Sequence, residues 1–292
     1  MKLVRQSGYL EVSRSAAARD LGGLGGLRSY VEDEVIPSAH DPALRVRGLL
    51  LVGVPGTGKS LAARVAGGLL SWPVLRCDIA ALKGSLVGQS EHQMRAALRL
   101  AEAVAPCVLY LDEVEKAVGG YASSAHTDSG VTLGMVGALL TWLQEHQAAV
   151  ITIATCNDYA KLPAELTRAG RFDERFFVDL PTCAERIEIA RVHLARYGAC
   201  ASLAEAVADL SADWTGAEIE ALVRSAARRS RRQIDAAALT AAAATIRPIS
   251  RVRAREIQEL REWGQANLRR ANSDDEYVAA QPARKLRVKG GN

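Results

Sequence analysis

The stretch GVPGTGKS at 53–60 fits the spacing G-x-x-x-x-G-K-[ST] through Gly53, Gly58, Lys59 and Ser60. Glycines let a backbone wrap closely and turn its N–H groups onto a polyphosphate, and a helix starting there adds its positive end. In such a loop Lys59 would reach the β- and γ-phosphates, and Ser60 would hold Mg²⁺ through its hydroxyl. The spacing alone arises from average composition in about one chain of this length in a hundred, so its context decides. An aliphatic strand-like run, GLLLVGV, precedes it and a helix-like run, SLAARVAGGLL, follows, which is the setting the motif needs.

A phosphate loop alone suits a kinase, a GTPase or a transporter subunit, so hydrolysis requires a further group. CVLYLDEVEK at 107–116 puts two adjacent carboxylates at the end of an apolar run. Asp112 can hold the Mg²⁺ water shell while Glu113 orients or deprotonates a water against the γ-phosphate; the alternative is that the pair caps the following helix. VITIATCN ends in Asn157, whose amide suits a γ-phosphate or an attacking water, although asparagine at a strand end is ordinarily a turn former. In LPAELTRAGRFDERF, Arg168 and Arg171 lie three residues apart just before a strand. They read either as a pair offered to another subunit's nucleotide, where such an arginine contributes ~10³ to 10⁵ in rate, or as surface partners of Glu165, Asp173 and Glu174.

The elements that must position these groups alternate. Five β-like runs (48–54, 73–78, 107–112, 150–155 and 175–180) are mostly continuous aliphatic stretches, as expected for strands covered on both faces. Helix-like segments at 60–70, 90–105 and 131–146 separate them, giving a βαβ rhythm and a doubly wound, parallel five-stranded α/β sheet. After Pro181 the texture is helical (183–197, 202–210, 216–232 and 235–246), which reads as a small all-helical lid. Pro248 interrupts before a further helix at about 251–270. The division expected is an N-terminal segment 1–19, a large domain 20–180, a lid 181–246, a C-terminal helix 247–271 and a disordered basic tail 272–292.

Of 37 Lys/Arg and 33 Asp/Glu, residues 251–292 hold ten and six, leaving 27 of each in the preceding 250 residues. The body is neutral, and the surplus of four sits in the tail, which either touches an acidic partner or polyphosphate or is simply solvated. The five cysteines lie in apolar surroundings with no C-x-x-C spacing, so neither a disulfide nor zinc is expected. No apolar run approaches the ~18 residues of a membrane span and no secretory signal opens the chain. A soluble intracellular protein is expected.

The order of GVPGTGKS, LYLDE, ATCN, LPAELTRAGRFDERF and WTGAEIEALVRSA resembles the AAA clade of the AAA+ ATPases, from DLGGLGGLRSYVEDEVI at 20 to about residue 246. Within it, GLLLVGVPGTGKSL, SLVGQSE, LAEAVAPCVLYLDEVEKA and RPISRVRAREIQELREW are most similar to AAA proteins encoded in plastid genomes, cyanobacteria and other bacteria. The resemblance implies a P-loop NTPase fold with an AAA+ lid, ATP and Mg²⁺ as ligands, and a homo-oligomeric, hexameric ring. It makes Pro55, Gly56, Thr57, Gly58, Lys59, Ser60 and Leu61 the phosphate loop, with Ser60 and Asp112 at Mg²⁺. Glu113 becomes the base, Asn157 the first sensor, and Arg168 and Arg171 fingers acting in trans. Asp20, Leu21 and Gly22 match the adenine-reading turn, Ile189 and His193 the wall beside the base, and Gly216 and Ala217 stand where other AAA+ proteins carry a lid arginine. The compartment implied is the cytoplasm, or the plastid stroma for a plastid-encoded chain.

Two departures bear on function. Polypeptide-threading members use an aromatic residue, Val and Gly in the loop after the second strand; KGSLVGQSE supplies Leu86, Val87 and Gly88, and a leucine offers less contact area and no ring face. The helix VTLGMVGALLTWLQEH lacks arginines that many relatives place near its start. The first reading is therefore an ATP-driven ring that remodels a protein or complex, with an unidentified substrate or adaptor. The alternatives are a nucleic-acid-associated loader, supported only by the tail and the arginines at 224–232 and lacking a stacking platform, and a nucleotide-gated scaffold with little turnover.

Overall fold

The computed structural model describes residues 4, 8–79, 81–82, 89–118, 129–162, 166, 168 and 170–273. Seven strands form one sheet: β1 (Glu11–Ser13), β2 (Gly48–Gly53), β3 (Val74–Cys77), β4 (Cys107–Leu111), β5 (Val150–Cys156), β6 (Glu174–Val178) and β7 (Arg269–Arg270). Their spatial order is β1-β3-β4-β5-β2-β6-β7. The five central strands are parallel, as the aliphatic runs require. Both faces are buried: Leu49 and Leu51 join one core with Val108, Ile151 and Phe176, while Leu50 and Val52 join the other with Leu109, Leu111 and Ala154.

The first face is covered by α1 (Gly25–Tyr30), which continues through a π-turn at Val31–Val35 and Ile36–Ser38, and by α2 (Lys59–Leu70). The second is covered by α3 (Gln89–Val104) and α5 (Ser129–Glu145), with the short α4 (Val114–Val118) following β4. Four helices, α6 (Cys183–Arg196), α7 (Ala204–Leu210), α8 (Gly216–Arg229) and α9 (Ala236–Ala243), enclose a separate core around Leu194, Val207, Trp214, Ile219, Leu222 and Leu239. Two of these start on reciprocal caps, Thr182 with Glu185 and Thr215 with Glu218, in which each hydroxyl accepts a backbone N–H and each carboxylate returns the bond.

Among the described residues the five expected parallel strands are present and two short edge strands extend the sheet to seven. β1 adds antiparallel to β3 at one edge and β7 adds parallel to β6 at the other. Strands of three and two residues carry no periodicity, so only their partners make them strands. The C-terminal helix also ends sooner than expected: α10 (Ala254–Asn267) stops and the chain turns back into β7. Gly264 permits this approach, because a Cβ there would lie 2.2 Å from the Phe177 ring. Asn272 and Ser273, expected in a disordered tail, are buried. Both reach the carboxylate of Glu185, which is fully buried: Asn272 Nδ2 donates to Oε2 at 2.7 Å and Ser273 N to Oε1 at 2.9 Å. Leu24 N donates to the same Oε1 at 2.7 Å, so one carboxylate joins the N-terminal turn, the lid and the end of the described chain.

Candidate nucleotide site

β5 lies between β2 and β4, so the carboxyl ends of these three strands are adjacent. Residues leaving those ends converge in the crevice where open α/β sheets bind ligands. Lys59 and Ser60 follow β2, Asp112 and Glu113 follow β4, and Asn157 follows β5. All five line one cavity of about 620 Å³, together with Asp20, Leu21, Gly22, Pro55, Gly56, Thr57, Gly58, Leu61, Ile189, His193, Gly216 and Ala217. Five further lining residues were not singled out in the sequence: Arg64, Thr155, Val192, Arg196 and Glu220. Arg64 follows Ser60 by one helical turn, a spacing that offers a basic side chain to the same side of α2.

The loop is built as a cradle. Gly56 and Gly58 take φ of +84° and +98°, values that side chains disfavour, and α2 starts directly behind them. Thr57 donates its hydroxyl to Val54 O at 2.8 Å, which ties the loop to its strand. Lys59 is buried, and its ammonium donates to Gly53 O and Val54 O at 2.8 Å each. Burial lowers its pKa from 10.5 to about 8, against the attraction of Cys156, Glu115, Glu113 and Asp112. The lid meets this loop directly, because Ala217 N donates to Gly56 O at 3.0 Å.

On the carboxylate side, Asp112 Oδ1 accepts from the Tyr110 hydroxyl at 2.5 Å and from Thr155 Oγ1 at 3.1 Å, and Oδ2 accepts from Arg76 Nη2 at 3.1 Å. Glu113 turns out of the strand in a left-handed conformation, φ +48°, with its N–H donated to Thr155 Oγ1. One of its oxygens accepts from Asn157 Nδ2 at 2.9 Å, and the other pairs with Lys116. Glu115, also buried, accepts the backbone N–H of Asn157 at 3.0 Å and so fixes where that amide begins.

At the other end of the cavity the turn at 20–22 lies against α6 so closely that a Cβ on Gly22 would sit 2.6 Å from Ile189 N. Gly23 N and Leu24 N are anchored on Glu188 and Glu185 of that helix. His193 faces the cavity with Nδ1 buried and without a partner among the described residues, and burial lowers its pKa to about 4. A neutral imidazole with an open ring nitrogen suits a heterocycle's polar edge. The site therefore fits a nucleotide at both ends, by an amide cradle and by an unpaired buried nitrogen. Ser60 and Asp112 are hard oxygen donors of the kind that suit Mg²⁺.

Arg168 and Arg171 do not line this cavity. Arg168 is exposed, and Arg171 is half-buried, its guanidinium donating to Leu140 O of α5. The loop that carries them meets the opposite end of β2: a Cβ on Gly48 would lie 3.3 Å from Arg171 O, and Asp173 N donates to Gly48 O. From Gly48 to Gly53 the strand runs about 17 Å at ~3.3 Å per residue, too far for Arg171 to touch phosphates on its own loop. Leu86, Val87 and Gly88 lie outside the described residues. No helix among the described residues is long and apolar enough to cross a membrane.

A glycine cradle at a parallel strand's end, a carboxylate pair two strands away and a helical lid against the other end of the cavity define a P-loop nucleoside-triphosphate domain. Residues 49–180 match the family model described as ATPase family associated with various cellular activities (AAA), and this part of the chain is an AAA-family ATPase domain. The chain is 34% identical over 276 residues to the AAA domain-containing protein ycf46 of Guillardia theta, covering 91% of this chain and 54% of that one. With ycf46 of Pyropia yezoensis it is 39% identical over 207 residues, 67% of this chain and 40% of the relative. The chain thus spans about half or less of the length of these relatives. Among solved structures, the FIGL-1 AAA domain in complex with ADP superposes with a TM-score of 0.73 at 20% identity, covering 91% of this chain and 95% of that one. At that identity the likeness concerns the fold.

Proposed function

We propose that the chain is the ATP-hydrolysing subunit of a homo-oligomeric ring, hexameric by family resemblance, that remodels a protein or protein complex. The observation that carries this reading is a division of charge. The phosphate loop, Asp112, Glu113 and Asn157 share one cavity, while Arg168 and Arg171 stand outside it, the Arg171 backbone about a strand's length away. Lys59, Arg64 and Arg196 are cations of this cavity, and a neighbouring copy is the source best placed to add Arg171 at the γ-phosphate.

In this reading the turn at 20–22, Ile189 and His193 hold the base, and the loop amides hold the phosphates. Lys59 exchanges its two carbonyl partners for phosphate oxygens. Mg²⁺, held by Ser60 and through water by Asp112, supplies positive charge against those oxygens when bound. Glu113, released from Lys116, takes the proton of the attacking water, and Asn157 sets the direction of that carboxylate. Arg171 leaves Leu140 O to reach the neighbour's γ-phosphate. The bond from Ala217 N to Gly56 O couples the loop to the lid, so loss of the phosphate shifts the lid, and lid movement does the work on a partner. Five free thiols fit a reducing compartment, the cytoplasm or a plastid stroma.

Mixing two inactive variants tests the shared site. Glu113→Gln lacks the base and Arg171→Ala lacks the finger, so each alone is expected to hydrolyse ATP poorly. In mixed rings a subunit with Glu113 meets a neighbour with Arg171 at about a quarter of interfaces if subunits assort at random. Recovery of roughly that share of wild-type turnover supports the proposal. No recovery in rings shown to exchange subunits, or full activity of Arg171→Ala alone, overturns it.

A further inference from the structure

We propose that Tyr110 is a positioning residue for the cation that accompanies the nucleotide, acting through the orientation of the Ser60 hydroxyl. This deepens the ATPase reading and rests on it. Tyr110 stands in β4, two residues before Asp112, with its ring buried in the core beneath α2 and 3% of its surface exposed. Its hydroxyl lies 2.8 Å from Ser60 Oγ and 2.5 Å from Asp112 Oδ1. It therefore bridges the two side chains expected to face the cation, one from α2 and one from the end of β4.

A phenol has one hydrogen to give, and a carboxylate has none. Asp112 accepts on both of its oxygens, from Tyr110 and Thr155 on one and from Arg76 on the other. The tyrosine hydrogen therefore goes to Asp112. The contact with Ser60 is then a hydrogen bond only if the serine donates and the tyrosine oxygen accepts. This relay, Ser60 to Tyr110 to Asp112, points the serine's hydrogen into the protein and leaves its lone pairs turned to the open cavity, where Ser60 is exposed. A metal ligand needs a lone pair forward, and a free hydroxyl would spend much of its time otherwise. A phenylalanine would fill the same space and leave Ser60 unoriented.

The test is a Mg²⁺ titration of a fluorescent ADP analogue on the full chain, with Tyr110→Phe and Thr155→Val. Thr155→Val removes another donor to Asp112, one that also reaches Tyr110, and leaves the contact between Ser60 and Tyr110 in place. Loss of an outer partner of a metal ligand typically costs 10- to 100-fold in affinity, so half-saturating Mg²⁺ is expected to rise about tenfold in Tyr110→Phe. Binding of the analogue in EDTA and the thermal midpoint should match wild type, and Thr155→Val should shift the Mg²⁺ requirement clearly less. A Tyr110→Phe requirement within twofold of wild type overturns the proposal. An equal shift in Thr155→Val overturns the route through Ser60. Wild type that binds the analogue with no dependence on Mg²⁺ fails the ATPase reading as well, whereas normal dependence with an unchanged variant fails only this inference.

Discussion

Lys59 sits in the folded chain at a cost that pH can switch off. Its ammonium is buried, with two carbonyls for partners and no carboxylate in bonding contact, and burial pulls its pKa from 10.5 to about 8. Below about pH 8 the lysine is protonated both folded and unfolded, and the folded state bears the whole cost. Between about 8 and 10.5 the folded chain has released the proton while the unfolded chain still holds it. The unfolded state then binds more protons, so stability rises with pH across this window. From about pH 7 to about pH 9.5 roughly 1.5 units of the window are crossed, and at ~1.4 kcal/mol per unit the gain is about 2 kcal/mol. Lys59→Met keeps the apolar stem and removes the charge, and with it the effect. Urea unfolding of both proteins, free of nucleotide and Mg²⁺, is expected to show the wild type gaining about 2 kcal/mol on the variant over that range. A difference that stays flat to within about 0.5 kcal/mol would refute the argument that burial without an anionic partner governs this lysine. The same reasoning makes nucleotide binding weaken above about pH 8, since the phosphates must draw back a proton that the empty site has released.

Other consequences are local. Gly22→Ala puts a methyl group 2.6 Å from Ile189 N, so the turn at 20–22 must leave α6; nucleotide affinity should fall at least tenfold, as read by calorimetry, with an unfolding midpoint that also drops. Glu185→Ala strands donors from Leu24, Asn272, Ser273 and Thr182 around a buried void. It should cost about 3–5 kcal/mol in chemical denaturation, since each buried donor left unsatisfied costs ~1–3 kcal/mol, and an effect below about 1 kcal/mol would contradict the hub. His193, lowered to about 4, stays neutral through the ordinary range. Nucleotide affinity measured between about pH 5 and 7 should therefore show no step at the usual histidine value near 6.5.

Much of this arrangement was legible because the chemistry sits at element boundaries that the sequence marks. The aliphatic runs name the five parallel strands since only a doubly covered strand is apolar at every position, and the groups that follow three of them meet in the cavity. The threonine and glutamate three residues apart at 182 and 185, and at 215 and 218, are visible cap signals. What the spacing at 182 and 185 does not convey is that Glu185 also takes donors some 90 and 160 residues distant. The same holds for β1 and β7, and for Asn272 and Ser273, whose order depends on partners far along the chain. Tyr110 carried a readable hint, a hydroxyl inside an otherwise apolar strand, which must find a partner when buried. Glu115 carried less, since an acidic residue on a short helix after a carboxylate pair is ordinarily solvated, and only the fold turns it inward to Asn157.

The central claim is that Glu113 activates water against ATP held on the loop at 53–60. Turnover of Glu113→Gln at saturating ATP and Mg²⁺, compared with wild type at equal assembly, tests it most directly. Loss of a general base typically costs ~10² to 10⁴ in rate, so a fall of at least about a hundredfold with ATP still bound is the result expected. Turnover equal to that of the wild type would contradict the account.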